Sequence, residues 1–221
     1  MTNHPLHSTL KMQSRAIMIL EAACKAGINP LPAEVFHNIA YFSNLLAPVY
    51  GSKIMDGKVL RLKEGPYYPD LQNQLDWLVL CGLVSISNLK YLYLEEIKNW
   101  RLFANYAINR EKTTKIVYQL NQWKDESLNL EFIKKITLAL TELSNSEITN
   151  SNKFDATYAD KSTDFGNVID YGEWVEGNPS LNAIKLMEKH FSGYQISDDA
   201  KLNFYVRHLY HQIQKGRTSD E

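Results

Sequence analysis

His208 and His211 are spaced i, i+3 in this chain of 221 residues. On a helix that spacing turns both imidazoles the same way. Such a pair can share a metal ion, but a zinc site needs four ligands. No third Cys, His or carboxylate is spaced to join them, and His190 falls on what reads as the preceding helix. A mildly basic helix face, with Arg207 before the pair and Lys215 after it, fits these residues better. Phosphate contact is a second chemistry. Arg110, Lys112 and Lys115 cluster near the start of one predicted helix, and Lys134 and Lys135 near the start of another. Such clusters either face water or meet phosphate oxygens. A third chemistry is base reading. Gln72, Asn73, Gln74 and Asp76 read as the outward residues of a helix over 70–81, and Gln and Asn side chains can pair with adenine. That helix holds no Lys or Arg and carries two carboxylates. Phosphate neutralisation dominates DNA affinity, so it is a poor DNA reader.

No nucleophile elbow, phosphate loop, zincin motif or dinucleotide fingerprint occurs. The carboxylates of 147–176 sit in what reads as a flexible stretch, which does not preorganise acid–base chemistry. The expectation is a non-enzymatic protein with no cofactor and no metal.

The elements that must carry these residues are read from apolar spacing. Ile17, Leu20 and Cys24 mark a helix capped by Ser8 or Ser14 and ended by Gly27. Pro32 suits the first turn of a second helix whose stripe is Val35, Ile39, Phe42 and Leu46, stopped by Pro48 and Gly51. Val59–Leu62 reads as a strand, and Gly65 to Pro69 as a rigid turn, because proline fixes φ and extends its predecessor. Leu71, Leu75 and Leu78 form the inner face of the 70–81 helix, with Gly82 at its end. Leu83–Ser87 and Lys90–Leu94 alternate with period two and read as a β-hairpin turning at Asn88-Leu89. Helix, helix, strand, helix, hairpin is close to the order of a winged helix-turn-helix.

After it, Ile116, Leu120 and Trp123 mark one helix, and Ile133, Ile136, Leu140 and Leu143 another. From Ser144 to Glu176 polar residues dominate and apolar periodicity vanishes, which reads as an acidic loop. Asn178 and Pro179 open a helix with Leu181, Ile184, Met187 and Phe191. A last helix carries Leu202, Val206, Leu209 and Ile213. The predicted fold class is mainly α (α+β). Its predicted divisions are a winged-helix-like module with a small β-hairpin over 1–98, a helical extension over 99–145, an acidic flexible loop over 146–178, and a C-terminal helical pair over 179–221.

Composition agrees with a globular chain, 44% hydrophobic and 22% charged. Net charge is −1, so a nucleic-acid contact would need a local basic patch. Cys24 and Cys81 lie in apolar helical stretches and read as small core residues. No apolar run reaches the roughly 18–20 residues of a membrane span. The first residues are polar and lack a signal peptide's hydrophobic core, so the expected location is the cytoplasm. Phe36, Tyr41, Phe42, Tyr67, Tyr68, Trp77, Tyr91 and Tyr93 are too many aromatics in one small module for all to be buried. A flat aromatic surface for a partner is one reading of them.

The run Phe36–Phe42, then Lys63-Glu64-Gly65-Pro66-Tyr67-Tyr68-Pro69-Asp70-Leu71, then Leu75–Val84 resembles Panacea-type antitoxin domains. It is also similar to the small middle components of bacterial three-component ABC-ATPase systems, including Lamassu-type anti-phage systems. The resemblance covers about the first 95 residues. An antitoxin domain alone leaves the helices after Trp100 unexplained, whereas a middle component has room for them. The second resemblance implies a non-enzymatic subunit bridging an SMC-like or Rad50-like ATPase to an effector such as a nuclease, with DNA contact indirect or weak and no membrane. The alternative is an antitoxin or winged-helix transcriptional regulator that binds a toxin or DNA directly. Arg110, Lys112, Lys115, Lys134, Lys135, Arg207, His208 and His211 stand as the candidate partner or phosphate contacts.

Overall fold

A single helix with almost no charge organises the molecule. A computed structural model describes residues 5–52, 58–95, 97–159, 164–170, 178–190 and 196–219. In it α1 spans Pro5–Lys25 and α2 spans Ala33–Tyr50. Helix α2 carries one formal charge, Glu34, and is buried at Ala33 and at every residue from Val35 to Ala47. A helix apolar or neutral on all sides belongs inside a core. Each buried Leu or Phe there contributes about 1.5–3 kcal/mol. Two of its polar side chains find partners within the helix: Asn38 donates to the Glu34 carbonyl (2.9 Å) and Ser43 to the Ala40 carbonyl (2.8 Å). Pro48 does not stop it. The helix runs on to Tyr50 and ends at Gly51, whose left-handed φ of +66° suits a residue without Cβ.

Two small sheets flank this helix. Strands β1 (Leu31–Pro32), β2 (Lys58–Leu62) and β3 (Gly65–Tyr67) precede α3 (Pro69–Leu80). Strands β4 (Val84–Leu94) and β5 (Asn99–Ile108) come after it. The first sheet has the order β1-β5-β4, all antiparallel, with Leu31 opposite Tyr106 and Val84 opposite Ile108. The second has the order β3-β2-β6, with β6 at Val168–Asp170. Helices α4 (Arg110–Asn121), α5 (Lys124–Leu140), α6 (Asn145–Ser151), α7 (Pro179–His190) and α8 (Asp198–Ser219) complete the chain. Helix α5 packs on α1 and α2, and α8 on α5, α6 and α2. The fold is mainly helical with two three-stranded sheets.

Several expectations need correction. Helix α1 already begins at Pro5, so Ser8 and Ser14 lie inside it and neither caps it. Gly65–Tyr67 is a strand paired with β2, because the extended conformations that proline imposes serve an edge strand as well as a turn. Gly65 has φ +135°, and a Cβ there would come within 2.9 Å of the Asn152 amide. The runs 83–87 and 90–94 are one strand. Asn88, at φ +50°, is part of a bulge between Ser87 and Lys90. The true hairpin partner is β5, so residues 99–108 complete the first sheet instead of opening a helical extension. Cys81 is exposed and Cys24 half-buried, so neither is a fully buried core residue. Phe191, expected on the stripe of α7, lies outside the described residues.

The largest correction concerns 146–178. Its described residues carry α6, a short 3-10 helix at Asn152–Phe154, and β6. Ser144 and Glu147 form a reciprocal capping box at the start of α6. Asp155, wholly buried, anchors the chain just after the 3-10 helix. Its carboxylate accepts from the Tyr41 hydroxyl (2.5 Å), the Tyr205 hydroxyl, Ser180 Oγ (2.8 Å), and the backbone N–H groups of Thr157 (3.1 Å) and Tyr158 (3.0 Å). These donors come from α2, α7, α8 and the segment itself. A buried polar group persists only when its bonds are made, and here both oxygens are served. Asn178 caps α7 by accepting from Leu181 N–H (2.8 Å) and donates to the Leu45 carbonyl (3.2 Å).

Candidate functional site

The β4–β5 ribbon presents the most unusual surface. Every residue of β4 from Ser85 to Tyr93 is exposed, nine in a row. An exposed strand of a soluble sheet normally turns alternate residues inward, so this one has solvent on both faces. Opposite pairs Tyr91–Leu102 and Tyr93–Trp100 share a face by register. All four are exposed, Tyr91 by 62% and Trp100 by 55%. Tyr91 stacks on Trp100 with centroids 5.5 Å apart, and Tyr93 meets the same indole edge-on at 5.5 Å. Ile86, Leu89 and Leu92 add further exposed apolar surface on β4, and Trp77 and Leu80 on α3. Single exposed hydrophobics are ordinary, whereas a contiguous set marks an interaction surface. Strand β4 is also the edge of its sheet, so among the described residues its outer backbone groups have no strand partner.

Behind the ribbon lies a buried polar seam. His37 is sealed from solvent. Its Nδ1 lies 3.4 Å from Tyr68 N–H, which donates to it, so Nε2 carries the proton and donates to Gln72 Oε1 at 3.1 Å. Gln72 Nε2 in turn donates to Asp76 Oδ1 (2.8 Å) and the Tyr106 hydroxyl (2.9 Å). Gln72 therefore points into the protein, contrary to the expected outward position. Asn73 and Asp76 do face out, and Gln74 is half-buried. Burial, then the nearby Arg101 charge, holds His37 well below its usual pKa, against the bond from Gln72. Burial pushes the Tyr106 hydroxyl up to about 12.

A pH dependence arises from His37. The unfolded imidazole binds a proton below about 6.5, and the folded one resists it. The unfolded state then carries more protons, so stability falls as pH drops below about 6.5 and is fully present above it. Half-buried His208, also lowered, adds in the same direction. Urea midpoints measured from pH 7.5 to 5 should decline in the wild type and decline less in His37→Gln. Equal slopes for the two proteins would remove His37 as a cause.

The basic candidates separate in space, and three of them, Arg110, Lys135 and Arg207, meet carboxylates. Arg110 lies 3.9 Å from Glu21, which also pairs with Lys25 at 2.9 Å. Lys134 sits beside this group and is lowered by burial and by the Lys25 charge, against Glu21. Lys25, Arg110 and Lys134 are thus brought together around one buried carboxylate, whereas Lys135 turns to α8. It binds Asp199 at 2.7 Å and Glu131 at 3.3 Å. Arg207 pairs with Glu142 at 3.2 Å. Lys112 and Lys115 are exposed on α4. His208 is half-buried and His211 exposed. Among the described residues no group of three His, Cys, Asp or Glu is placed to hold a metal.

Trp100, Leu102 and Arg101 are not among the candidates that sequence spacing picks out. Their signal is nonetheless present: Trp100, Leu102, Tyr106 and Ile108 fall on one period-two series broken only by the small Ala104, the period of a strand. Comparison with protein-family models, characterised proteins and solved structures gave no match.

Proposed function

We propose that this chain is a non-enzymatic adaptor, built on a winged-helix-like module, that bridges an SMC-like ABC-ATPase and an effector such as a nuclease in a bacterial defence complex. One observation carries the protein-binding part of that reading: the nine-residue exposed run of β4 with its Tyr91, Tyr93, Trp100 and Leu102 face. Interface centres are rich in Tyr and Trp and poor in charge. The winged-helix part is supported by a short strand between the first two helices that pairs with the last strand of the hairpin, giving the order β1-β5-β4. On this reading β2 and β3 are an insertion before α3, and β4–β5 is the wing. Helix α3 stands where a reading helix would stand. It exposes Asp70, Asn73, Asp76, Trp77 and Leu80 and contains no cation, which favours protein over phosphate. The resemblance of the 36–84 region to middle components supplies the ATPase and effector as partners. No helix of the described residues is long and apolar enough to cross a membrane, in keeping with a cytoplasmic complex.

Co-expression with the neighbouring genes, followed by affinity purification of this chain, tests the proposal. An ATPase with a long coiled coil that co-purifies in fixed ratio supports it. A chain that elutes alone sinks it. Capture of one small toxin, or salt-sensitive binding to a specific operator, would replace it with the antitoxin or regulator reading.

A further inference from the structure

Arg101 is only 7% exposed, yet among the described residues it forms no ion pair with a carboxylate. Its guanidinium lies 3.8 Å from the Tyr67 ring centroid and 4.5 Å from that of Phe103. Two aromatic rings thus hold the guanidinium in place. Its Nε is shut from solvent with no acceptor, and no hydrogen bond to the side chain occurs among the described residues. A buried donor left without an acceptor loses its desolvation cost with no return, and an arginine has five N–H groups to satisfy. The carboxylates of Glu34 and Glu64 are near enough to be felt electrostatically but make no ion pair with it. The interior neighbours do not complete the site either. His37 is neutral and already spends both ring nitrogens on Tyr68 and Gln72, and Asp76 is engaged by Gln72.

We infer that Arg101, set over the Tyr67 and Phe103 rings near the turn end of the β4–β5 ribbon, is a receptor for one external carboxylate. A guanidinium fork matches the two oxygens of a carboxylate or of a phosphate. The surroundings select between them. Glu34 and Glu64 add negative potential around Arg101, which repels a dianion or a polyanionic backbone more than a single carboxylate. Cross-strand Leu92 and the adjoining Phe103 give the flank of a side-chain carboxylate an apolar lining. The cation sits where it would orient an acidic residue of a polypeptide lying along the ribbon. The site does not depend on which complex the chain joins.

The test is a titration of the full-length, ¹⁵N-labelled protein, following the Arg101 Nε–Hε resonance. The resonance is assigned through bonds from the backbone and checked by its loss in Arg101→Lys. Acetate, inorganic phosphate and chloride are added at matched ionic strength. The expected result is a saturable shift with acetate, at an apparent affinity at least about tenfold above phosphate, and no saturable shift with chloride. Identical responses to acetate and chloride would show that no site exists. Saturation by phosphate without saturation by acetate would overturn the carboxylate assignment.

Discussion

Asp155→Ala is expected to destabilise the protein by about 3–5 kcal/mol, because several buried donors lose their acceptor at once. The substitution strands the Tyr41 and Tyr205 hydroxyls, Ser180 Oγ and two backbone N–H groups in a dry interior. Each stranded donor costs about 1–3 kcal/mol, less whatever local relaxation or water entry recovers. Asp155→Asn keeps the shape and one carbonyl acceptor, so it should cost less than alanine. Tyr205→Phe removes a single donor and should cost less again. Urea unfolding followed by far-ultraviolet circular dichroism measures all three. An alanine variant within about 1 kcal/mol of wild type would mean that the segment after α6 is not fastened through this carboxylate.

The second large effect is on association. Tyr91→Ser combined with Trp100→Ser should weaken capture of the partner by at least about 2 kcal/mol, close to a thirtyfold loss, if these rings form an interface centre. Stability should move by no more than about 1 kcal/mol, since both rings are exposed and lose only their cross-strand contact. The two readouts separate a docking role from a folding role. Unchanged co-purification by a stably folded double variant would remove the ribbon from the interface. A matched control, Tyr118→Ser on the exposed face of α4, should leave capture intact.

Helices are the legible part of this sequence, because three- and four-residue apolar spacing survives without knowledge of neighbours. The stripe of α2 shows in that spacing, but the burial of its other faces does not. The charge-free run from Val35 to Tyr50 is the available clue to a helix covered all round. The β-ribbon misleads for a specific reason. The bulge at Asn88 interrupts the alternation of β4 and looks like a two-residue turn, so spacing alone folds β4 onto itself and leaves its partner to a helix. The segment after Leu143 reads as loop because its anchors are polar. Asp155, Asn178 and Ser180 hold it through hydrogen bonds to residues far away in sequence, and periodicity carries no trace of such bonds. The Ser144–Glu147 capping box is the local signal that places α6. The basic clusters are easy to find in the sequence, but their fate is not. Whether Lys135 meets a phosphate or Asp199 is decided by the α5–α8 packing.

The enclosure of α2 also bears on the order in which the chain is made. Its Tyr41 side bonds to residue 155, Asn38 to residue 152, and the Leu45 carbonyl to residue 178. A ribosome delivers α2 more than a hundred residues before those partners. Throughout that interval α1, β1, β3, β5 and finally α5 can cover the helix, but its α6, α7 and α8 sides stay open. Closing loops of this length delays native contacts and leaves apolar surface uncovered. The last helices are therefore the closing step of assembly, and a nascent chain halted before α8 would present the interior of the protein to whatever chaperone or subunit was nearest.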